Sequence, residues 1–97
     1  MNAVGFDYDT HEIRRRAKEI KACRDRVAEM RSSGVANVSR AVDGSFEGAA
    51  AQALRERLTK AQTELDRIYS DLNIMYKAVS AFAAKLEALD AELAKQM

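Results

Sequence analysis

The chain has 97 residues, enough for one small domain, and its formal charge of +1 gives it no general attraction to nucleic acid or to an anionic membrane. It is 47% hydrophobic and 32% charged, with four glycines and no proline, a composition that favours long helices. No apolar run reaches the roughly 18 residues of a membrane span, and residues 1–9 lack the basic and apolar parts of a secretory signal peptide.

The first predicted helix covers about residues 10–40. Asp9 and Glu12 have the spacing of a capping box, and Tyr8 and Ile13 have that of a hydrophobic staple. From there, apolar residues recur every three or four positions and define one face of a helix. They are Ile13, Ala17, Ile20, Cys23, Val27 and Met30.

This apolar pattern weakens over residues 32–34, which read Ser-Ser-Gly, and resumes at Val35. Serine and glycine inside a helix each cost roughly 0.5–1 kcal/mol relative to alanine. We therefore expect the first helix to bend or fray there and to end between Asn37 and Val42. An Asp-Gly-Ser cluster then predicts a turn at about residues 43–47.

The second predicted helix spans about residues 48–95, on the order of 60 Å at 1.5 Å per residue. Its apolar residues follow one another at alternating spacings of four and three, the pattern of a coiled-coil contact. They are Leu54, Leu58, Ala61, Leu65, Ile68, Leu72, Met75, Val79, Phe82, Leu86, Leu89 and Leu93. Two long helices joined by a short turn lie antiparallel, so we predict an all-α helical hairpin that forms a single domain.

The apolar face of the second helix is wider than one neighbouring helix can cover. Tyr69, Tyr76 and Ala83 widen it on one side and Ala78 on the other. Monomeric soluble proteins rarely expose such a surface, so we predict that two hairpins pack into a four-helix bundle dimer. The predicted partner interface consists of Leu65, Ile68, Tyr69, Leu72, Met75, Tyr76, Val79 and Phe82 with Ile13, Ile20 and Val27 of the first helix.

The sequence offers little for catalysis. We interpret His11, the sole histidine, as a solvated residue, because no residue of metal-ligand spacing lies near it. Cys23 is the sole cysteine, and we expect it to pack as a small hydrophobe, an intermolecular disulfide or a reactive thiol being the alternative. A two-helix hairpin also has no deep substrate pocket. We predict no enzyme activity, no cofactor and no metal.

A basic run near the start of the first helix is the best argument for nucleic-acid binding. Residues 12–31 contain eight basic and four acidic residues. Successive positions of a helix point about 100° apart, so the run surrounds the helix, and the interleaved acids can pair with it. No aromatic residues lie among these cations to stack on bases. A solvated, ion-paired surface is the favoured interpretation, and we predict no nucleic-acid partner.

The turn region resembles that of a known family. Residues 46–50 read Phe-Glu-Gly-Ala-Ala, where the WXG-100 (ESAT-6-like) family has Trp-x-Gly-x-Ala, and the resemblance covers nearly the whole chain. It implies a helical hairpin that forms homodimers or heterodimers and is exported in the folded state by a type VII secretion system of Gram-positive bacteria and actinobacteria. It also implies that Phe46 plugs the open end of the bundle core and that Gly48 lets the backbone enter the second helix.

The chain departs from the family at the export signal, which is Tyr-x-x-x-Asp or Glu near the end of the second helix. Tyr69 is followed at that spacing by Asn73 and Tyr76 by Ser80, and the sequence stops at Met97 while it still reads as helix. If the chain is a family member, we expect a partner to supply the signal.

The predicted function is therefore that of an exported type VII substrate, or of a targeting partner or chaperone for a larger LXG-type effector. Such a protein is made in the cytoplasm without a classical signal peptide and is then secreted. Its partner is expected to be a second copy, a paralogous hairpin or the N-terminal helical domain of an effector. The alternative is a generic coiled-coil structural or chaperone-like protein.

Overall fold

The computed structural model describes residues 10–45 and 47–96. In it α1 covers Thr10–Glu29, a π-helical turn covers Met30–Gly34, α2 covers Val35–Ser45 and α3 covers Gly48–Gln96. α1, the π turn and α2 follow one another without a break and form the first arm of a hairpin, and α3 forms the second arm. The predicted all-α hairpin is confirmed.

The hairpin is a rod of 74 × 16 × 15 Å. Its length matches that of α3, because 49 residues at about 1.5 Å each span that distance. Within the described ranges, no helix is long and apolar enough to cross a membrane. Tyr8, Asp9, Phe46 and Met97, on which the expected staple, capping box, core plug and chain end depend, lie outside the described residues.

The π turn replaces the expected bend or fraying of the first helix. The backbone N–H of Val35 donates to the carbonyl oxygen of Met30, five residues earlier, so the helix widens by one residue and continues. Val27 and Val35 are eight residues apart, one more than a heptad, yet Val27 is half-buried and Val35 is buried. The extra residue of the π turn thus keeps the apolar face of the first arm turned towards α3.

The first arm ends at Ser45, which corrects the expected end between Asn37 and Val42. Packing extends the helix, because Val42 is only 4% exposed. An ion pair between Asp43 and Arg55, with 3.0 Å between the carboxylate oxygen and Nε, ties the last turn to α3. The connection to α3 is correspondingly shorter than the predicted turn.

The two arms approach closely where both carry alanine. Ala17 of α1 is 3% exposed and Ala83 of α3 is 0% exposed, and side chains of this size allow a short distance between helix axes. Side chains also bridge the arms at four levels, which fixes one antiparallel register. The bridges are Arg14–Glu87 at 2.7 Å, Arg24–Asn73 at 2.7 Å, Arg31–Asp66 and Asp43–Arg55.

Candidate protein-interaction surface

The apolar pattern of α3 divides into two rows of seven-residue spacing. One row is buried or half-buried in the hairpin, and we call it the contact row. It consists of Leu58, Leu65, Leu72, Val79, Leu86 and Leu93. This row supplies the α3 side of the hairpin core, since within one chain the first arm is what can cover it.

The other row is exposed along its whole length, and we call it the exposed row. It consists of Ala61, Ile68, Met75, Phe82 and Leu89. The four large members are 40%, 50%, 50% and 46% exposed, respectively. The row extends over 28 residues, or about 42 Å of helix. A continuous apolar strip of this kind on a soluble protein marks a surface for another macromolecule.

An open apolar groove lies between the arms at the turn-proximal end of the exposed row. It has a volume of about 460 Å³ and is lined by Met30, Gly34, Val35, Val38, Leu58, Ala61, Glu64 and Leu65. Met30 and Val38, on its first-arm side, are themselves 55% and 50% exposed. The groove therefore continues the exposed row onto the first arm. It can receive an apolar side chain.

The opposite flank of α3 is occupied by the first arm through Arg24. Its guanidinium carbon lies 5.7 Å from the ring centre of Tyr69 and 5.4 Å from that of Tyr76, within the range of cation–π attraction. The same guanidinium donates to Oδ1 of Asn73 at 2.7 Å and pairs with Asp25 at 2.9 Å. With 16% of its side chain exposed, Arg24 holds both tyrosines against α1.

The structure thus places the predicted interface residues in two groups. Those turned towards the interior of the hairpin are half-buried: Ile13, Ile20, Val27, Leu65, Leu72, Tyr76 and Val79. Those exposed are Ile68, Tyr69, Met75 and Phe82. Sequence reasoning missed Leu89, Ile74, Met30 and Val38 as exposed apolar residues. The seven-residue spacing from Ile68 onwards was the signal that could have found Leu89.

Cys23 is exposed, which corrects the expectation that it packs as a small hydrophobe. The face of α1 that is half-buried by α3 contains Ile20, Arg24 and Val27. Cys23 precedes Arg24, and adjacent positions on a helix point about 100° apart, so its thiol lies beside that face and not within it.

The basic run of α1 is engaged by carboxylates. Arg14 forms a two-pronged contact with Glu87 at 2.7 and 3.2 Å, and Glu12 pairs with Arg15 and with Arg16. Hydrogen bonding from Arg14 holds the pKa of the Glu87 carboxyl below its ordinary value. Hydrogen bonding from Arg15 does the same to the pKa of Glu12. These contacts neutralise much of the charge that a phosphate backbone would need.

The described part of the chain contains no group of three or more His, Cys, Asp or Glu side chains that could hold a metal ion. His11 is exposed on the first turn of α1. The apolar walls of the groove include one carboxylate, that of Glu64, which already pairs with Arg67 at 2.8 Å. The surface is suited to binding an apolar partner.

The sequence of the chain matches one protein family. The family is described as WXG100, proteins of 100 residues with WXG, and the match covers residues 5–91. No curated protein and no solved structure matches the chain. Of the motif residues, Gly48 begins α3 with a φ of 68°, in the left-handed region that favours glycine.

Proposed function

Because the chain belongs to the WXG100 family, whose small helical proteins are associated with type VII secretion, we propose that it works as a dimerising component of such a system. In this role it is either an exported substrate or the targeting partner of a larger LXG-type effector. It is synthesised in the cytoplasm and leaves the cell through the secretion machinery. Its activity is protein association and not catalysis.

The observation that carries this proposal is the exposed row. Five apolar residues at seven-residue spacing form a strip of about 42 Å that the first arm leaves uncovered. Covering it with another helical hairpin removes the strip from water and gives the four-helix arrangement in which amphipathic hairpins are stable. A second copy, a paralogous hairpin and the helical N-terminus of an effector all present a surface of this type.

The position of the tyrosines bears on how export is signalled. Tyr76 and Asn73 are both engaged with Arg24 inside the hairpin. A signal built on Tyr69 or Tyr76 would have to be read from side chains that are packed on α1. This supports the expectation that a partner contributes the Tyr-x-x-x-Asp or Glu signal.

The proposal is tested by export in the native host. The protein is expected in the culture supernatant of the wild-type strain and absent from that of a strain without the secretion ATPase. Expression with and without the neighbouring reading frames then shows whether export needs a partner. Supernatant levels that are the same in both strains would contradict the proposal and favour a generic coiled-coil protein.

A matched pair of variants links export to the exposed row. Met75→Asp places a charge on the row, whereas Ser70→Asp places the same charge at an exposed position about 160° away around α3. We expect Met75→Asp to abolish export while Ser70→Asp is exported normally. Equal export of both variants would show that the row has no part in secretion.

A further inference from the structure

We propose that the exposed row is covered by α3 of a second copy of this chain, which runs antiparallel across it with the twofold axis at Met75. The inference rests on the proposed dimerising function and specifies its partner and register. Three independent features of the chain select this arrangement: the symmetry of the row, the position of the groove and the charges beside the row.

The exposed row is symmetric about Met75. Two members lie on each side of it, at seven and fourteen residues. When an identical helix crosses antiparallel at this point, Met75 meets its own counterpart, and Ile68 meets Phe82 of the second copy. Ala61 meets Leu89 of the second copy. Every member of the row is then covered, and each pairing occurs twice, as a symmetric dimer requires.

The groove lies where this register needs space. Ala61 is the smallest member of the row, and the groove of about 460 Å³ opens between it and Met30 and Val38 of the first arm. The residue of the second copy that falls there is Leu89, a large side chain that is 46% exposed in the hairpin. Small against large at this level lets both helices approach closely along the whole row.

The charges beside the row favour the same register. Each row position is followed three residues later by an exposed residue on its outer flank, and in an antiparallel symmetric pair this flank faces its own copy. With the axis at Met75, Glu64 faces Lys85 of the second copy. Arg57 faces Glu92 of the second copy, and Asp71 faces an alanine, Ala78. Both charged pairs are of opposite sign.

Registers shifted by one heptad lose this match. Moving the axis towards the turn, midway between Ile68 and Met75, places Arg57 against Lys85 and Asp71 against its own counterpart, two contacts of like charge. Moving it the same distance the other way places Glu64 against Glu92 of the second copy. Both shifts also leave an end of the row uncovered. Like charges across an interface work against the wrong register.

Disulfide trapping tests the axis. In a Cys23→Ser background, Met75→Cys places one thiol beside its counterpart, within the short Cα–Cα distance that a disulfide requires. Ile68→Cys and Phe82→Cys are matched controls on the same row, whose thiols would be about 21 Å from their counterparts along the axis. We expect a covalent dimer on mild oxidation for Met75→Cys and not for the controls. Trapping of either control in preference to Met75→Cys would overturn the register.

Charge reversal tests the flank. Glu64→Lys or Lys85→Glu alone is expected to weaken dimerisation roughly tenfold, because each change affects two symmetry-related pairs. The double variant restores it. Failure of the double variant to recover, in a protein that still dimerises, would overturn the register and leave the proposed function intact. A wild-type chain that stays monomeric in solution at high concentration would overturn the second copy as partner and the dimerising function together.

Discussion

The guanidinium carbon of Arg24 lies 5.4 Å from the ring centre of Tyr76, in the middle of the contact between α1 and α3. This pair decides which flank of α3 the first arm covers. Because the first arm lies on the tyrosine side, the exposed row on the other side is left for a partner. The cation therefore shapes the interaction surface from inside the hairpin.

Replacing Arg24 by alanine is expected to lower the free energy of unfolding by about 1–3 kcal/mol. The change removes the contacts with both tyrosine rings, the hydrogen bond to Asn73 and the packing of the arginine stem. Arg26→Ala, at an exposed position of the same helix, is the control and should change stability by less than about 0.5 kcal/mol. Denaturant unfolding followed by circular dichroism at one protein concentration measures both; equal effects would contradict the structural role of Arg24.

Two glycines near the turn should respond to alanine with opposite sign. Gly48 has a φ of 68°, where a β-carbon is strained even though open space surrounds it, so Gly48→Ala should destabilise the hairpin by about 1 kcal/mol. Gly44 lies inside α2 with open space around it, so Gly44→Ala should stabilise by roughly 0.5–1 kcal/mol. Midpoints of thermal unfolding report the sign. A stabilising Gly48→Ala would show that residue 48 does not need the left-handed conformation.

The contact between Arg14 and Glu87 predicts how stability depends on pH. Hydrogen bonding from Arg14 lowers the pKa of Glu87 from its ordinary value of 4.5, so the carboxylate stabilises the fold above that value. The stabilisation is lost as the pH falls through the lowered pKa. Glu87→Gln should therefore flatten the acid side of the stability profile, whereas Glu29→Gln, at an exposed position of α1, should leave it unchanged. Identical profiles for wild type and Glu87→Gln would refute this.

Neighbouring positions in the two rows of α3 should separate association from folding. Met75 is 50% exposed, so Met75→Asp should abolish dimerisation while the monomer keeps its helix content. Leu72 is half-buried against the first arm, so Leu72→Asp should also destabilise the hairpin itself, by about 2–4 kcal/mol. Solution mass and circular dichroism together distinguish the two effects. Wild-type assembly of Met75→Asp would argue against an interface at the exposed row.

Hydrophobic periodicity was sufficient to predict the hairpin, since regular spacing over α3 specifies a long helix with one apolar face. It could not predict which flank of that face the first arm covers. Alternating spacings of four and three describe both rows equally well, and the choice depends on tertiary contacts such as the burial of Ala83 and the stacking of Arg24. Tyr69 and Tyr76 therefore looked like surplus apolar surface, although Arg24 packs on both.

The π turn was also signalled, but by a feature that helical propensity does not measure. The step of eight residues from Val27 to Val35 is one residue longer than a heptad, and an uninterrupted α-helix would rotate Val35 about 80° away from the line of Val27. Both side chains are nevertheless withdrawn from solvent. The low helix propensity of Ser-Ser-Gly showed where the helix is weak, and the spacing showed how the weakness is used.

The extra residue in the π turn has a consequence for how the length of this chain can vary. Deleting Ser33 would let residues on either side close into a continuous α-helix, with Val27 and Val35 now a heptad apart and still directed at α3. A deletion within α1 would instead rotate every residue on one side of it by about 100° and pull the arginines out of reach of their carboxylates. Natural variants of this hairpin should therefore tolerate gain or loss of a single codon at the serines far better than within α1.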